Sequence, residues 1–565
     1  MSITPETPGT NRKVIGRTRK TVCWGVVILA LGVFLYFMPG FFQEPFNTTG
    51  QVHVYYMGRL IEQPACYQDE ELYLPFDFIR GEVDPTIRWD DKNKLVIITN
   101  TENVFHFPLG FKEGLINLEP YSFTYPVIER EGAVYLPADP LREVYDLEFL
   151  EQKEDCLVRI HDLREPVQMG KTLEAGKLRS SPSVRSPWVL SIGRDKEISV
   201  LYEDNGWFWV ETHDGLMGYL PKKKAELTTI KTTEIKKNIY QPWNPLKRPV
   251  VLTWEYAGLT TANPRDIGEL AEVSVVSPTW FHLTGDGLVI NRADKNYVRW
   301  AHHNGQQVWG LFDNSFDPEL THTFLNDAVL RIKAMKQILT YVDLYELDGI
   351  NLDFENMFLK DKNAYVQFVR ELSPLLHEKE RMLTVDVTFH SQSENWSLCY
   401  DRKSLAQIAD FIMVMAYDEH GSGSSKAGSV SSLPWVEKGL ENILKEVPPE
   451  KLLLGVPFYT RLWTETENDQ GAKKLTCRAL SMEKAEEWIK EHGAEIKEDR
   501  ISGQHYIEYK EGNATYKMWL EDSYSLAKRI ELMKKYRLAG IAAWRRGFEK
   551  EEIWPALGSL VNKVW

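Results

Sequence analysis

The sequence predicts a multidomain chain whose larger part is an α/β (β/α)8 barrel. Two observations carry this. Strand-like runs alternate with amphipathic helical stretches across residues 246–565, and the octapeptide at 348–355, DGINLDFE, sets acids at the end of an otherwise apolar strand. Alternating strands and helices imply a parallel sheet, and eight such units close a TIM barrel with its reactive residues at the C-terminal strand ends. With 565 residues the chain has room for three or four domains, and its 43% hydrophobic and 26% charged content is that of a globular protein. The net charge of −14 argues against nucleic acid as a partner. The basic triplet at 222–224 reads as a solvated turn.

At the N-terminus, Arg12, Lys13, Arg17, Arg19 and Lys20 precede an uncharged apolar run over residues 22–38. Its length approaches that of a spanning helix, and the basic flank would keep the N-terminus in the cytoplasm. Residues 39–42, PGFF, offer no small-x-small cleavage site, which favours an uncleaved anchor over a secretion signal. Residues 1–45 are therefore expected to form a basic cytoplasmic tail and transmembrane helix of a single-pass cell-membrane protein, with all later domains outside the cytoplasm.

Residues 50–162 carry a weak duplication. The pentapeptide ELYLP at 71–75 and the related AVYLP at 133–137 lie 62 residues apart, each followed by a further strand-like run. The segment resembles the duplicated α+β stalk domain at the N-terminus of some copper amine oxidases and of bacterial envelope proteins. It has no histidine cluster, so no copper site is expected, and Tyr73 and Tyr135 are read as core residues. The five cysteines include no C-x-x-C pair; Cys66 and Cys156 share this domain and are a possible disulfide in an oxidising compartment, while Cys399 and Cys477 read as isolated thiols. Residues 166–226, with LRSSP at 178–182, GWFWV at 206–210 and DGLMGY at 214–219, resemble a small all-β bacterial SH3-like domain. A polar linker is expected over 227–245.

The barrel strands are expected at 250–255, 272–277, 307–312, 347–353, 382–388, 411–415, 451–458 and 539–544, with helices such as 327–343 and 363–378 between them. The stretch 464–519 is too long for a loop. It contains a helical pattern at 482–492 and strand-like pieces at 505–510 and 515–519, and reads as an α+β insertion.

In the octapeptide, alternation along a strand would project Asn351, Asp353 and Glu355 from one side. Two acids on one face of a buried strand are costly unless they serve a purpose, since an unpaired buried charge costs several kcal/mol or forces a pKa shift. The apolar residues Leu347, Ile350, Leu352 and Phe354, with Gly349 for close backbone approach, argue against a solvated edge strand. The octapeptide resembles the active-site strand of family 18 glycoside hydrolases, D-G-x-D-x-D-x-E, departing at Asn351. MAYD at 415–418 and GIAAW at 540–544 are similar to that family's sixth-strand and eighth-strand motifs.

The resemblance implies a retaining reaction in which the substrate's own N-acetyl oxygen attacks the anomeric carbon, a recognised exception to the two-carboxylate scheme. It gives Glu355 the role of general acid and then base, and makes Asp353 the anion that orients and stabilises the acetamido group. Tyr417 becomes a hydrogen-bond donor to the acetamido oxygen, Asp418 and Asn351 substrate-side residues, and Trp544 the apolar floor under the sugar. Where the family has an aspartate that shares charge with residue 353, Asn351 can hydrogen-bond but not titrate, so activity is expected with an altered pH profile. No cofactor or metal is implied. The substrate would be a glycan containing N-acetylglucosamine. The anchor, stalk and SH3-like pattern resemble spore-germination enzymes acting on peptidoglycan, with chitin the alternative substrate. Two other readings are a non-catalytic glycan-binding barrel and a metal-dependent barrel using Asp313, Asp353 and Asp386.

Overall fold

The computed structural model describes residues 52–153, 156–233, 249–467 and 473–562. They divide into two compact units: the described parts of Met1–Val83 and Glu129–Lys237, and those of Asp84–Ile128 and Asn238–Trp565.

In the second unit eight parallel strands close a barrel. They are β1 (Val250–Glu255), β2 (Val275–Leu283), β3 (Gln307–Asp313), β4 (Gly349–Asp353), β5 (Met382–Thr388), β6 (Phe411–Met415), β7 (Leu452–Pro457) and β8 (Gly540–Trp544). Each pairs with its sequence neighbour, and β8 pairs with β1 to complete the ring. Runs such as VVLTWE and LLLGVP are buried at every position because helices cover the outside and side chains fill the inside. The second strand begins three residues later than expected and continues to Leu283, since a register shift between Thr279 and Phe281 carries it further along β3.

Alternation separates two apolar cores. Val250, Leu252, Trp254, Val275, Trp309, Leu311, Met382, Met413, Leu453 and Ala542 fill the barrel interior, while a larger cluster lies between strands and helices. Gly349 permits close strand approach: a Cβ there would stand 2.8 Å from the Met382 carbonyl oxygen and 3.0 Å from Trp309. The helix Ala328–Tyr345 is capped by Asp327, whose carboxylate accepts from the N–H groups of Val329 and Leu330. It ends at Glu346 in the left-handed region, φ 60°. The chain then turns directly into β4.

Residues 84–128 belong to the barrel's unit. They form a five-stranded antiparallel sheet whose Leu95, Ile97, Val104 and Leu118 join the barrel's outer core. Asp90 accepts the N–H of Ala328 at 2.7 Å and Lys92 pairs with Asp327 at 2.6 Å, so the sheet grips the start of a barrel helix. The two sequence repeats pair with each other in the first unit: Glu71–Pro75 runs antiparallel to Ala133–Pro137, and a helical turn follows each after its proline. Tyr73 is buried there and Tyr135 half-buried. The possible 66–156 disulfide is not formed, and Cys66, Cys399 and Cys477 are free thiols.

Residues 167–231 make a seven-stranded antiparallel sheet around Leu178, Ile192, Ile198, Val200, Phe208, Val210, Leu220 and Ala225. Its last strand, Ala225–Lys231, takes up the start of the expected linker, because these residues pair with Val167–Thr172. Residues 234–248 lie outside the described residues, as does the expected anchor at 22–38. Among the described residues no helix is long and apolar enough to cross a membrane.

Between β7 and β8 the insertion forms an antiparallel sheet of Tyr459–Glu467, Lys473–Ser481, Ile496–Asp499, Gln504–Glu511 and Ala514–Leu520, with the helix Met482–His492. It begins at Tyr459, five residues earlier than expected, because the strand leaving β7 runs straight into the inserted sheet. A buried network fastens it to the barrel: Arg529 pairs with Glu521 at 2.9 Å, and Gln504 donates to Glu521 at 2.8 Å.

Candidate active site

The mouth is built from the C-terminal ends of the strands. Asp313 and Asp353 face each other in register on β3 and β4. Asn351 faces Thr384 and Leu352 faces Val385, which sets Asp353 and Asp386 in one layer of β4 and β5. Three carboxyls on three adjacent strands thus crown the apolar interior.

Asp353 is buried, and its Oδ1 has no hydrogen-bond partner among the described residues. Burial, then the negative charges of Glu355, Asp386 and Asp313, push its pKa well above the usual carboxylate range. Glu355 lies two residues past the strand end, half-buried. Burial, followed by repulsion from Asp418 and Asp313, raises its pKa from 4.5 to about 7. A carboxylic acid that keeps its proton near neutral pH, beside a second acid, is the arrangement of a general acid.

The loop carrying Glu355 is held by its backbone. Asn314, fully buried, donates from Nδ2 to the Glu355 carbonyl oxygen at 2.6 Å and accepts the Glu355 N–H at 3.0 Å. Tyr400 donates to the carbonyl of Phe354 at 2.8 Å. Neither residue stands out in the sequence; the only available signal is that Asn314 directly follows a barrel strand.

Asn351 does not face the mouth. It is 0% exposed. Its Oδ1 accepts from Trp254 Nε1 and from Ser277 Oγ, each at 3.0 Å, and its Nδ2 donates to Asp386 Oδ1 at 2.8 Å. The expected substrate contact is therefore corrected: both ends of the amide are committed to protein, one layer below Asp353.

Tyr417 follows β6, its ring edge-on to Tyr459 at 6.3 Å between centroids, and burial raises its pKa well above 10, so the hydroxyl keeps its proton. Asp418 adopts the left-handed region, φ 60°, and its half-exposed carboxylate accepts from Tyr459 and from Arg461, each at 2.7 Å. Tyr459 and Arg461 come from the insertion's first strand, two residues apart and so on one face. That spacing was the signal that could have found them. Trp544 ends β8 against Trp254, ring centroids 5.8 Å apart, and remains partly exposed. The structure thus gathers Asp353, Glu355, Tyr417, Asp418 and Trp544 around one mouth and sets Asn351 beneath it.

Asp313 is engaged by His282 Nδ1 at 2.6 Å and by the Ser315 N–H at 2.9 Å, and Asp386 by Asn351. Among the described residues no group of three or more His, Cys, Asp or Glu is arranged to hold a metal ion.

Comparison with known proteins agrees with this geometry. Residues 322–549 match the family described as glycosyl hydrolases family 18, and residues 56–155 match the copper amine oxidase N-terminal domain. The chain is 24% identical over 314 residues to the uncharacterized glycosylase YvbX of Bacillus subtilis, a match covering 53% of this chain and 89% of that protein. It is 27% identical over 261 residues to the cortical fragment-lytic enzyme of Bacillus subtilis, covering 46% of this chain and 60% of that enzyme's length. The fold is similar to that of the Bacillus megaterium spore cortex-lytic enzyme SleL, with TM-score 0.50 and 22% identity over 56% of this chain and 75% of that one. The barrel, with its two acids at the end of β4, is a glycosyl hydrolase domain of family 18.

Proposed function

We propose that the protein hydrolyses β-1,4 glycosidic bonds next to N-acetylglucosamine in peptidoglycan, with retention of configuration and with the substrate's acetamido group as nucleophile. The observation that carries this reading is the pairing of Glu355, protonated up to about pH 7, with the buried Asp353 at one barrel mouth.

Glu355 gives its proton to the leaving oxygen as the acetamido oxygen bonds to the anomeric carbon, and later takes a proton from the attacking water. Asp353 supplies the negative charge opposite the acetamido nitrogen, where positive charge develops in a site poor in water. The Tyr417 hydroxyl, which burial keeps protonated, donates to the acetamido oxygen. The partly exposed face of Trp544 supports the C–H surface of the sugar, and Asp418, fixed by Tyr459 and Arg461, borders the ring.

Peptidoglycan is favoured over chitin by the likeness to an enzyme named for cortical fragments, and by the domains before the barrel, whose sequence pattern suits an envelope protein. In this reading residues 22–38 anchor the chain in the cell membrane, and the SH3-like pattern of 166–226 belongs to a wall-associated domain. The test is digestion of purified peptidoglycan and of chitin oligomers by wild type and Glu355→Gln, with new reducing ends identified by mass spectrometry. N-acetylglucosamine ends released from peptidoglycan by wild type alone are expected. Products from chitin only would move the substrate to chitin, and binding without cleavage in both proteins would make the barrel a glycan-binding module.

A further inference from the structure

Of the two carboxyls in the layer of Asp353 that the scheme above does not use, Asp313 is engaged by His282 and the Ser315 N–H, and Asp386, met by Asn351, has no histidine partner among the described residues. Asp386 lies in the inward row of β5, 1% exposed, in the same layer as Asp353. Among the described residues neither acid forms an ion pair. The groups that face Asp386 are Asn351, Asp353 and Glu355 from β4 and its loop, the Trp254 indole from β1, the Tyr417 hydroxyl after β6, and Tyr365 from the helix Lys362–His377. None of these is a cation.

Two buried carboxyls side by side with no cation cannot both be charged, so the pair holds one proton between them. Asn351 sets the geometry. Its carbonyl end is pinned by Trp254 and Ser277, which fixes the amide so that Nδ2 points at Oδ1 of Asp386. Oδ1 of Asp386 thereby accepts from a donor that cannot turn away, and the Trp254 indole stands beside the same carboxyl. The unpartnered Oδ1 of Asp353 is the matching feature on the neighbouring strand.

We propose that Asp386 is the proton reservoir of this site, a positioning residue that takes the proton of Asp353 so that Asp353 is an anion when the acetamido nitrogen becomes positive. In the step an O–H bond at Asp353 breaks and an O–H bond at Asp386 forms, and the charge of the pair stays at −1. The titratable acid that the family pattern carries at position 351 is here supplied from the adjacent strand, and Asn351 is its fixed hydrogen-bond donor. The role in turnover rests on the hydrolase reading above; the shared proton itself does not.

Three proteins test it: Asp386→Asn, the exchange variant Asn351→Asp/Asp386→Asn, and Glu355→Gln. Asp386→Asn is expected to lower kcat by at least about 100-fold with KM little changed and to displace one limb of the pH–rate profile. The exchange variant, which returns a titratable acid to β4, is expected to recover at least about tenfold of that loss. Wild-type kcat and an unmoved profile in Asp386→Asn would overturn the proposal. Infrared spectroscopy of the full chain gives a reading independent of turnover: a protonated-carboxyl band at pH 7 that Asp386→Asn removes supports the shared proton, and a band unchanged by that substitution refutes it. If wild type and Glu355→Gln are equally inactive on every glycan, the hydrolase reading falls, and the infrared result alone decides whether Asp386 shares the proton.

Discussion

Replacing Glu355 with glutamine changes the electrostatics of the mouth with almost no change in its shape, and the size of the effect follows from two pKa values. In the unfolded chain the residue is an ordinary glutamate near 4.5; in the fold, burial and the charges of Asp418 and Asp313 raise it to about 7. Below pH 4.5 the carboxyl is neutral in both states and costs the fold nothing. Between 4.5 and 7 the unfolded chain has released the proton while the folded chain still holds it, so stability falls as pH rises; above 7 both states are charged and the loss is complete. At about 1.36 kcal/mol per pKa unit the full loss approaches about 3 kcal/mol, an upper value because solvent at the mouth screens a half-buried carboxyl. Glu355→Gln has no such titration. It is expected to match wild type near pH 4 and to exceed it above pH 7, by up to about 3 kcal/mol, in urea unfolding followed across that range with equal slopes. The same variant should lose hydrolysis, and the wild-type kcat/KM should decline above about pH 7 as the general acid deprotonates. A stability difference that does not vary with pH, or that grows toward acid, would refute the reasoning.

Three further outcomes follow from named contacts. Tyr417→Phe should keep the fold and lower kcat by roughly 100-fold, because the acetamido oxygen loses the donor that holds it in line with the anomeric carbon; an unchanged kcat would remove the hydroxyl from the mechanism. Asn314→Ala should lose both its bonds to the Glu355 backbone, destabilise the barrel by about 1–3 kcal/mol and reduce kcat, as checked by thermal unfolding and steady-state kinetics. His106 lies in the sheet packed on the barrel helices with neither ring nitrogen hydrogen-bonded, and burial lowers its pKa to about 4. Its contribution is therefore full above pH 6.5 and lost as pH falls toward 4, by up to about 3 kcal/mol, a loss that His106→Phe should abolish in unfolding measured between those values.

Much of the fold was legible along the chain. Strands β1, β5 and β6 begin and end at the expected residues, and the helix at 482–492 does also, because each is a largely buried apolar run or an amphipathic repeat. The second strand was missed by several residues because its bulge breaks the alternation on which such readings depend. Nothing local showed that residues 84–128 pack on the barrel. Leu95, Ile97, Val104 and Leu118 mark a buried face, but a buried face does not name its partner. Within the site, Asp353, Glu355, Tyr417, Asp418 and Trp544 were found because strand ends and short motifs lie within a few residues of one another. Asn314, Tyr400, Tyr459 and Arg461 were not, since each meets its target from a different strand or loop.

The sequence by itself determined that Asn351, Asp353 and Glu355 share one side of a strand of this barrel and its end. A period of two along an apolar run fixes which side chains share a face, and that rule needs no knowledge of neighbours. Tertiary structure alone decided what those residues meet: Asn351 turned inward onto Asp386, Glu355 was held through its backbone, and Asp418 was fixed by the insertion. The reason is that hydrogen bonds and charge repulsion act through space over a few ångströms, while the partners here are tens of residues apart, brought together only when the strands close into a ring.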